Sequence, residues 1–408
     1  MPSITSGIHT ENPNIYDDSD SPLTIQERID TMHLRGAVVL PLFEEETSTT
    51  IITPNRTGGV VLGHGAFISA DTSTGNLYAS SRSSIVAKAH MTDLLRIRGA
   101  KQHWSDFNLM GDAWNTVTDD FDKYGTKPDV GLMIYYDAGV GAGKHIFDNV
   151  NIQGFTTGVK FGQLATSNNC DVTKVRNLRI ENCDIGVWQL GNQAIQNVFE
   201  DIIITQHHIA DPAAGEAGTG ICFLFQGGGN FRADNCTMVS PGIFHKIDQL
   251  AGSYLGSNTS HYEYNNVKID NGAGAGAKLF DSVPSTYLKN LTTKAIFRNV
   301  YFAYDNYASV GANGSRMGTV HGMQEVVIEH GYNLQPGAFN WRSYSGESST
   351  SRRVLRLNNC KLRGCTLATD VLKHNQSTGT MYFQAVNCTG LNNEHIDDYS
   401  GVVTGTGS

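Results

Sequence analysis

Phe147-Asp148-Asn149-Val150-Asn151-Ile152 is followed by Val175-Arg176-Asn177-Leu178-Arg179-Ile180, and then by Phe199-Glu200-Asp201-Ile202-Ile203-Ile204. The shared pattern is apolar, any, Asn or Asp, apolar, any, apolar. It returns at Asn266-Val267-Lys268-Ile269 and Asn299-Val300-Tyr301-Phe302. Looser copies stand at Asn235-Cys236-Thr237-Met238, Asn359-Cys360-Lys361-Leu362 and Asn387-Cys388-Thr389, with a degenerate one at Glu325-Val326-Val327-Ile328. The steps between pivots run from 24 to 34 residues. An irregular period of that size predicts a stacked solenoid.

On either side of each pivot the apolar residues alternate with period two, which predicts two short strands with one buried face. Across the pivot the apolar residues stand three apart, so the alternation breaks there. Asn accepts a left-handed backbone more readily than other non-glycine residues, and one such residue bends the chain while keeping both apolar faces inward. Stacked coil on coil, the amides of Asn149, Asn177, Asn235, Asn266, Asn299, Asn359 and Asn387, with Asp201 among them, can form a ladder. A second strand follows in each unit, as in Gly158-Val159-Lys160-Phe161, Gly186-Val187-Trp188-Gln189-Leu190, Gly220-Ile221-Cys222-Phe223 and Gly242-Ile243-Phe244. Its leading glycine is expected at a positive-φ turn. The fold class expected is all-β: a single-stranded parallel β-helix of roughly ten coils.

These repeats resemble the pectate-lyase-like right-handed parallel β-helix superfamily from about Leu23 onward. The resemblance includes Leu23-Thr24-Ile25-Gln26-Glu27-Arg28-Ile29-Asp30 and then Gly36-Ala37-Val38-Val39-Leu40-Pro41. It implies an N-terminal capping helix near 22–33, with Ser21 as N-cap and Pro22 as first helical residue. Lyases, hydrolases, isomerases, phage tailspikes and inert virion parts share that fold, so the resemblance does not decide activity.

Composition narrows the classes. A net charge of −9 argues against a nucleic-acid partner. The apolar runs are too short to span a bilayer, so no membrane insertion is expected. Met1-Pro2-Ser3-Ile4-Thr5-Ser6 lacks an apolar stretch of signal-peptide type. The seven cysteines show no metal-binding spacing, and no metal or cofactor is expected. Cys236, Cys360 and Cys388 follow corner pivots and read as buried, reduced thiols. Seven Asn-x-Ser/Thr sequons occur, two of them at the corners Asn235 and Asn387, where a glycan would prevent stacking. These features point to a product assembled in the host cytoplasm and located in the virion.

Residues 1–20 are expected to form an arm, 21–399 the β-helix and 400–408 a tail. The stretches 112–129, 207–219, 271–276 and 333–353 read as excursions, where function is usually grafted. The function expected is a phage virion protein of tailspike, fibre or head-appendage type that contacts host surface polysaccharide. Its expected partners are itself, as a homotrimer, and other virion proteins through the arm. The alternatives are a polysaccharide lyase or glycoside hydrolase, and a structural virion component without a ligand.

Glycoside hydrolysis needs two carboxylates a few ångströms apart. Glu200 and Asp234 are the candidate catalytic pair, with Glu181 a further candidate; the competing reading is a mixed-charge solvated face. Arg176, Arg179 and Lys268 are candidate lyase bases, but no acidic cation-binding loop adjoins them. His207, His208 and Asp211 form one tight His/acid cluster, whose stronger reading is a polar loop. Trp188, Trp114 and Trp341 are the glycan-stacking candidates, Trp188 as an outward platform beside Glu181.

Overall fold

The computed structural model describes residues 15–16, 24–40, 44–55, 58–64, 69–70, 77–78, 83–111, 127–136, 142–163, 170–191, 194, 196–205, 220–227, 229–239, 242–248, 260–270, 278–282, 293–302, 318–321, 324–332, 339–342, 352–361, 372–374, 380–389, 395–396 and 399–404. Trp114 and the cluster His207, His208 and Asp211 lie outside them, as do Ser21 and Pro22.

Two parallel sheets run the length of the molecule. The first places His103–Met110, Ile146–Gln153, Lys174–Glu181, Asn197–Thr205, Asn230–Val239, Ser260–Asp270, Thr293–Phe302, Gln324–Glu329, Arg352–Asn358 and Thr380–Val386 side by side in chain order. The second does the same from Ile51–Ile52 through Leu95–Ile97, Val130–Ile134, Thr157–Phe161, Ile185–Gln189 and Ile221–Phe225 to Leu372–His374. Strands of the two sheets alternate along the chain, so each circuit adds one strand to each sheet. That is a parallel β-helix.

The pivots are the corners. Asn149, Asn177, Asp201, Asn235, Asn266, Asn299, Asn359 and Asn387 all have φ between 51° and 57°. The same conformation occurs at Asp106 and His330, which the hexad reading missed. In that unit the sequence reading put the pivot at Glu325. The register instead pairs Lys294 with Glu325 and Arg298 with Glu329, so His330 stacks on Asn299. The apolar spacing at 325–328 is that of the strand before the corner, and Gly331 takes the apolar position after it.

The leading glycines of the second sheet also need correction. None of Gly158, Gly186, Gly220 and Gly242 is among the positive-φ residues. At Gly158 an added Cβ would lie 2.8 Å from the Gly186 carbonyl and 3.0 Å from Ile180; at Gly186 it would lie 2.8 Å from both the Cys222 carbonyl and Ile204. Gly158 and Gly186 thus make room for isoleucines arriving from the opposite sheet, whereas at Gly242 the added carbon would meet the Gly220 carbonyl.

The buried apolar residues among those described form one continuous core from Ile25 to Cys388. Its centre is aromatic: Phe223 lies 5.2 Å from both Phe231 and Phe244, and Tyr264 stacks on Phe297 at 5.1 Å. At the N-terminal end the helix Ile25–Arg35 buries Ile25 and Ile29. Its N-cap is Thr24, not Ser21: the Glu27 carboxylate accepts from the Thr24 N–H at 2.8 Å, and the Glu27 N–H donates to the Thr24 hydroxyl at 3.3 Å. This is a capping box. From the same helix the Gln26 amide donates to the Ile52 carbonyl and accepts from its N–H, at 2.9 and 2.8 Å, closing the edge of the second sheet. Ile15–Tyr16, the described part of the N-terminal segment, pairs parallel with Ala37–Val38. At the other end Tyr399–Thr404 lies antiparallel on Thr380–Val386. No described helix is long and apolar enough to cross a membrane.

Candidate functional site

The corner amides donate in one direction along the solenoid. Asn299 donates to Asn266, Asn266 to Asn235, and Asn235 to the carboxylate of Asp201, each at 2.9 Å. Asn177 donates instead to Asp148 at 3.0 Å, and Asn149 to Asp106 at 2.7 Å. A carboxylate has no N–H to pass on. The run from Asn299 therefore stops at Asp201, and the next amide, Asn177, belongs to a separate pair.

An open groove of about 370 Å³ lies over that interruption. One wall is formed by the corner side chains of Asn177, Asp201 and Asn235. The floor is Leu178 and Ile202, whose side chains are buried in the core. Arg179, Ile203 and Thr237 form the other wall. Those three begin an outward row in strict register: Arg179, Ile203, Thr237, Lys268 and Tyr301, with Tyr301 bridged in turn to Tyr332. Ile203, Tyr301 and Tyr332 are 41%, 44% and 48% exposed, so the row combines the polar groups of Arg179, Thr237 and Lys268 with accessible apolar surface. Neither tyrosine is marked by the tryptophan positions that single out Trp188, Trp114 and Trp341. The pattern Arg298-Asn299-Val300-Tyr301 recurring as Glu329-His330-Gly331-Tyr332 was the available signal.

Across the corner from the groove runs a second row: Asp148, Arg176, Glu200, Asp234, Asn265, Arg298 and Glu329. Glu200 and Asp234 are direct neighbours in it. Each carboxylate has a cation of its own: Lys174 lies 2.9 Å from Glu200, and Arg232 lies 2.9 Å from Asp234, which also accepts from Asn265. Glu181 sits at the far end of its strand, paired with Arg179 and in register with Gln153 and Thr205. It is not brought together with the other two. Arg176 is paired with Asp148 at 2.9 Å. Arg298 is hydrogen-bonded to both Glu263 and Glu329, which hold its pKa above the ordinary value.

Trp188 lies on the second sheet, in register with Lys160 and Leu224. The Lys160 ammonium sits 3.9 Å from the centroid of its ring, and burial pushes the Lys160 pKa down. One face of the indole is thus occupied, and Glu181, on the first sheet, is no part of that row. Trp341 falls within Phe339–Arg342 of the second sheet; its side chain lies outside the described residues. Among the described residues no group of three or more His, Cys, Asp or Glu side chains is placed to hold a metal ion.

No protein-family model and no curated protein matches the chain. Among solved structures, two catalytic domains of GH87 alpha-1,3-glucanase in complex with tetrasaccharides align over 93% of this chain at 12% identity. The alignments cover 69% and 65% of those chains, with TM-scores of 0.40 and 0.43. A likeness of that degree carries no argument about this chain.

Proposed function

We propose that the protein binds polysaccharide along the outward face of the first sheet, with the polymer crossing successive coils from the Asn177–Asp201 groove toward Tyr301 and Tyr332. The observation that carries this reading is the single register row in which the hydrogen-bonding groups of Arg179, Thr237 and Lys268 share one face with the exposed side chains of Ile203, Tyr301 and Tyr332. Sugar hydroxyls donate readily to the Asp201 carboxylate and the Asn177 amide oxygen, while the C–H faces of sugar rings suit Ile203 and the tyrosine rings. The proposed setting is a virion appendage of a tailed phage, assembled as a homotrimer. It is supported by Asn235 and Asn387, whose sequon amides are spent in the ladder, so a glycan on either would break stacking. A second reading is that the bound polymer is also cleaved. The adjacency of Glu200 and Asp234, directly across the corner, favours it; the private cation on each speaks against it.

The test is immobilisation of the full chain and titration with bacterial capsular and lipopolysaccharide chains. Ile203→Asp and the pair Tyr301→Ala and Tyr332→Ala should each weaken binding by about tenfold or more. Failure to bind any polysaccharide, or unchanged binding by both variants, overturns the reading. Appearance of new reducing ends that disappears in Glu200→Gln establishes cleavage. Mass spectrometry of purified particles decides the virion setting.

A further inference from the structure

The apolar position after each corner forms an inward stack: Val150, Leu178, Ile202, Cys236, Val267 and Val300, then Gly331, Cys360 and Cys388. Only at its C-terminal end do two thiols of this stack follow each other directly. The register there is held on both sides. The Asn387 amide donates to Asn359 at 2.6 Å on one flank, and Lys361 bridges to Thr389 on the other. The Thr389 N–H donates to the Cys360 carbonyl at 2.9 Å. Parallel neighbours in such a ladder stand about 4.8 Å apart, inside the Cα separation of roughly 4.4–6.8 Å that a disulfide spans. Both side chains are buried, at 2% and 0% exposure, and both thiols are free. Beneath Cys360 the stack holds Gly331, so no side chain from that position fills the space around its sulfur.

We propose that Cys360 and Cys388 form a reversible disulfide that staples the last coil to the coil before it. The Cys360 thiol donates to the Ile328 and Asn358 carbonyls and the Cys388 thiol to the Leu357 and Val386 carbonyls; each thiol also influences the other's ionisation, which pushes the pKa of Cys360 up and that of Cys388 down. The oxidant is a small-molecule disulfide. The Cys388 thiolate attacks one of its sulfurs, the S–S bond breaks, and one small thiol leaves. The Cys360 thiolate then attacks the Cys388 sulfur of the mixed disulfide and expels the second small thiol. Two protein thiols and one disulfide thereby become one protein disulfide and two small thiols. Access comes from opening of the terminal coil. Among the described residues beyond Cys388, the coil is covered by the two-residue antiparallel pairing of Cys388–Thr389 with His395–Ile396 and by the strand Tyr399–Thr404, and so short a pairing opens at low cost.

The experiment incubates the native full chain with oxidised glutathione and maps cysteine peptides by mass spectrometry without reduction. The expected product is a Cys360–Cys388 linked peptide, two hydrogens lighter than the reduced pair, that dithiothreitol reverses. Proteolysis within 380–404 should slow by about tenfold or more in the oxidised form. Cys360→Ser should stop at a glutathione adduct on Cys388. Absence of the linked peptide, whether the thiols stay free, pair elsewhere or stop at the adduct in the wild-type chain, overturns the proposal.

Discussion

Asn235 gives its side-chain N–H to Asp201, one coil away and 2.9 Å distant, and that bond ends a run of three amides that starts at Asn299. The direction is uniform because every donor reaches toward the N-terminal side. A carboxylate is the natural receiver at the end of such a run, since it accepts without needing to donate.

Asp201→Asn would supply the missing donor and join Asn235 to Asn177. The expected unfolding midpoint in urea equals or exceeds that of the wild type. Asp201→Ala keeps the left-handed backbone of φ 57° without any acceptor, and should cost about 1–3 kcal/mol. Equal losses in both variants would show that the charge, not the hydrogen bond, matters at this corner.

Backbone and amide can be separated at the next two corners. Asn266 and Asn299 have φ of 55° and 53°. The double change to Gly keeps the bend and removes the amides, so it should cost about 1–3 kcal/mol. The double change to Leu also forces a left-handed conformation, adding roughly 1–2 kcal/mol at each site. Thermal melts should rank wild type above the Gly pair and the Gly pair above the Leu pair.

Gly186→Ala tests the revised account of the second sheet. With Ile204 and the Cys222 carbonyl both 2.8 Å from the added carbon, the backbone must move, and a loss of roughly 1–3 kcal/mol is expected. A neutral outcome in chemical denaturation would mean that the coils part there without strain.

The repeat hexad was legible because two requirements coincide in it: a residue that tolerates positive φ, and apolar residues on both sides that must face the same interior. Where either requirement is met in another way, the reading slipped. His330 makes the bend without an Asn, and Gly331 beside it removes the apolar marker, so the strand residue Glu325 was taken in its place. The glycines were assigned to turns because their φ is invisible in sequence; the crowding by Ile180 and Ile204 comes from strands of the facing sheet. The adjacency of Glu200 and Asp234 follows from the pivots by counting. The exposed tyrosines and the interruption at Asp201 depend on register and hydrogen-bond direction, which spacing does not encode.

His245 and His145 make stability fall in acid. His245 is fully buried, stacked on Phe280 at 5.0 Å and bonded through Nδ1 to the Tyr264 hydroxyl at 2.6 Å; burial holds its pKa down at about 3. Burial likewise lowers His145 to about 4, against a smaller opposing effect of a backbone hydrogen bond at Gly99. In the unfolded chain both titrate near 6.5. Above that value the folded and unfolded forms are equally deprotonated and stability is complete. As pH falls toward 4 and 3 the unfolded chain alone takes up the protons, so each histidine removes up to about 1.4 kcal/mol per pH unit. The pair His245→Phe and Tyr264→Phe, which leaves no orphaned hydroxyl, should flatten this slope by one proton in urea titrations between pH 6.5 and 3. His245→Phe alone should cost about 1–3 kcal/mol at neutral pH, because it strands the buried Tyr264 hydroxyl.

The closing strand Tyr399–Thr404 has a meaning for growth as well as for capping. All other described pairings in the first sheet are parallel, so a bare last coil would offer a template on which another chain's first coil could continue the same lattice, molecule after molecule. By running antiparallel, this strand presents outward an edge whose donors and acceptors follow a different spacing from the one the coils use. The solenoid thus carries its own stop signal against becoming a filament.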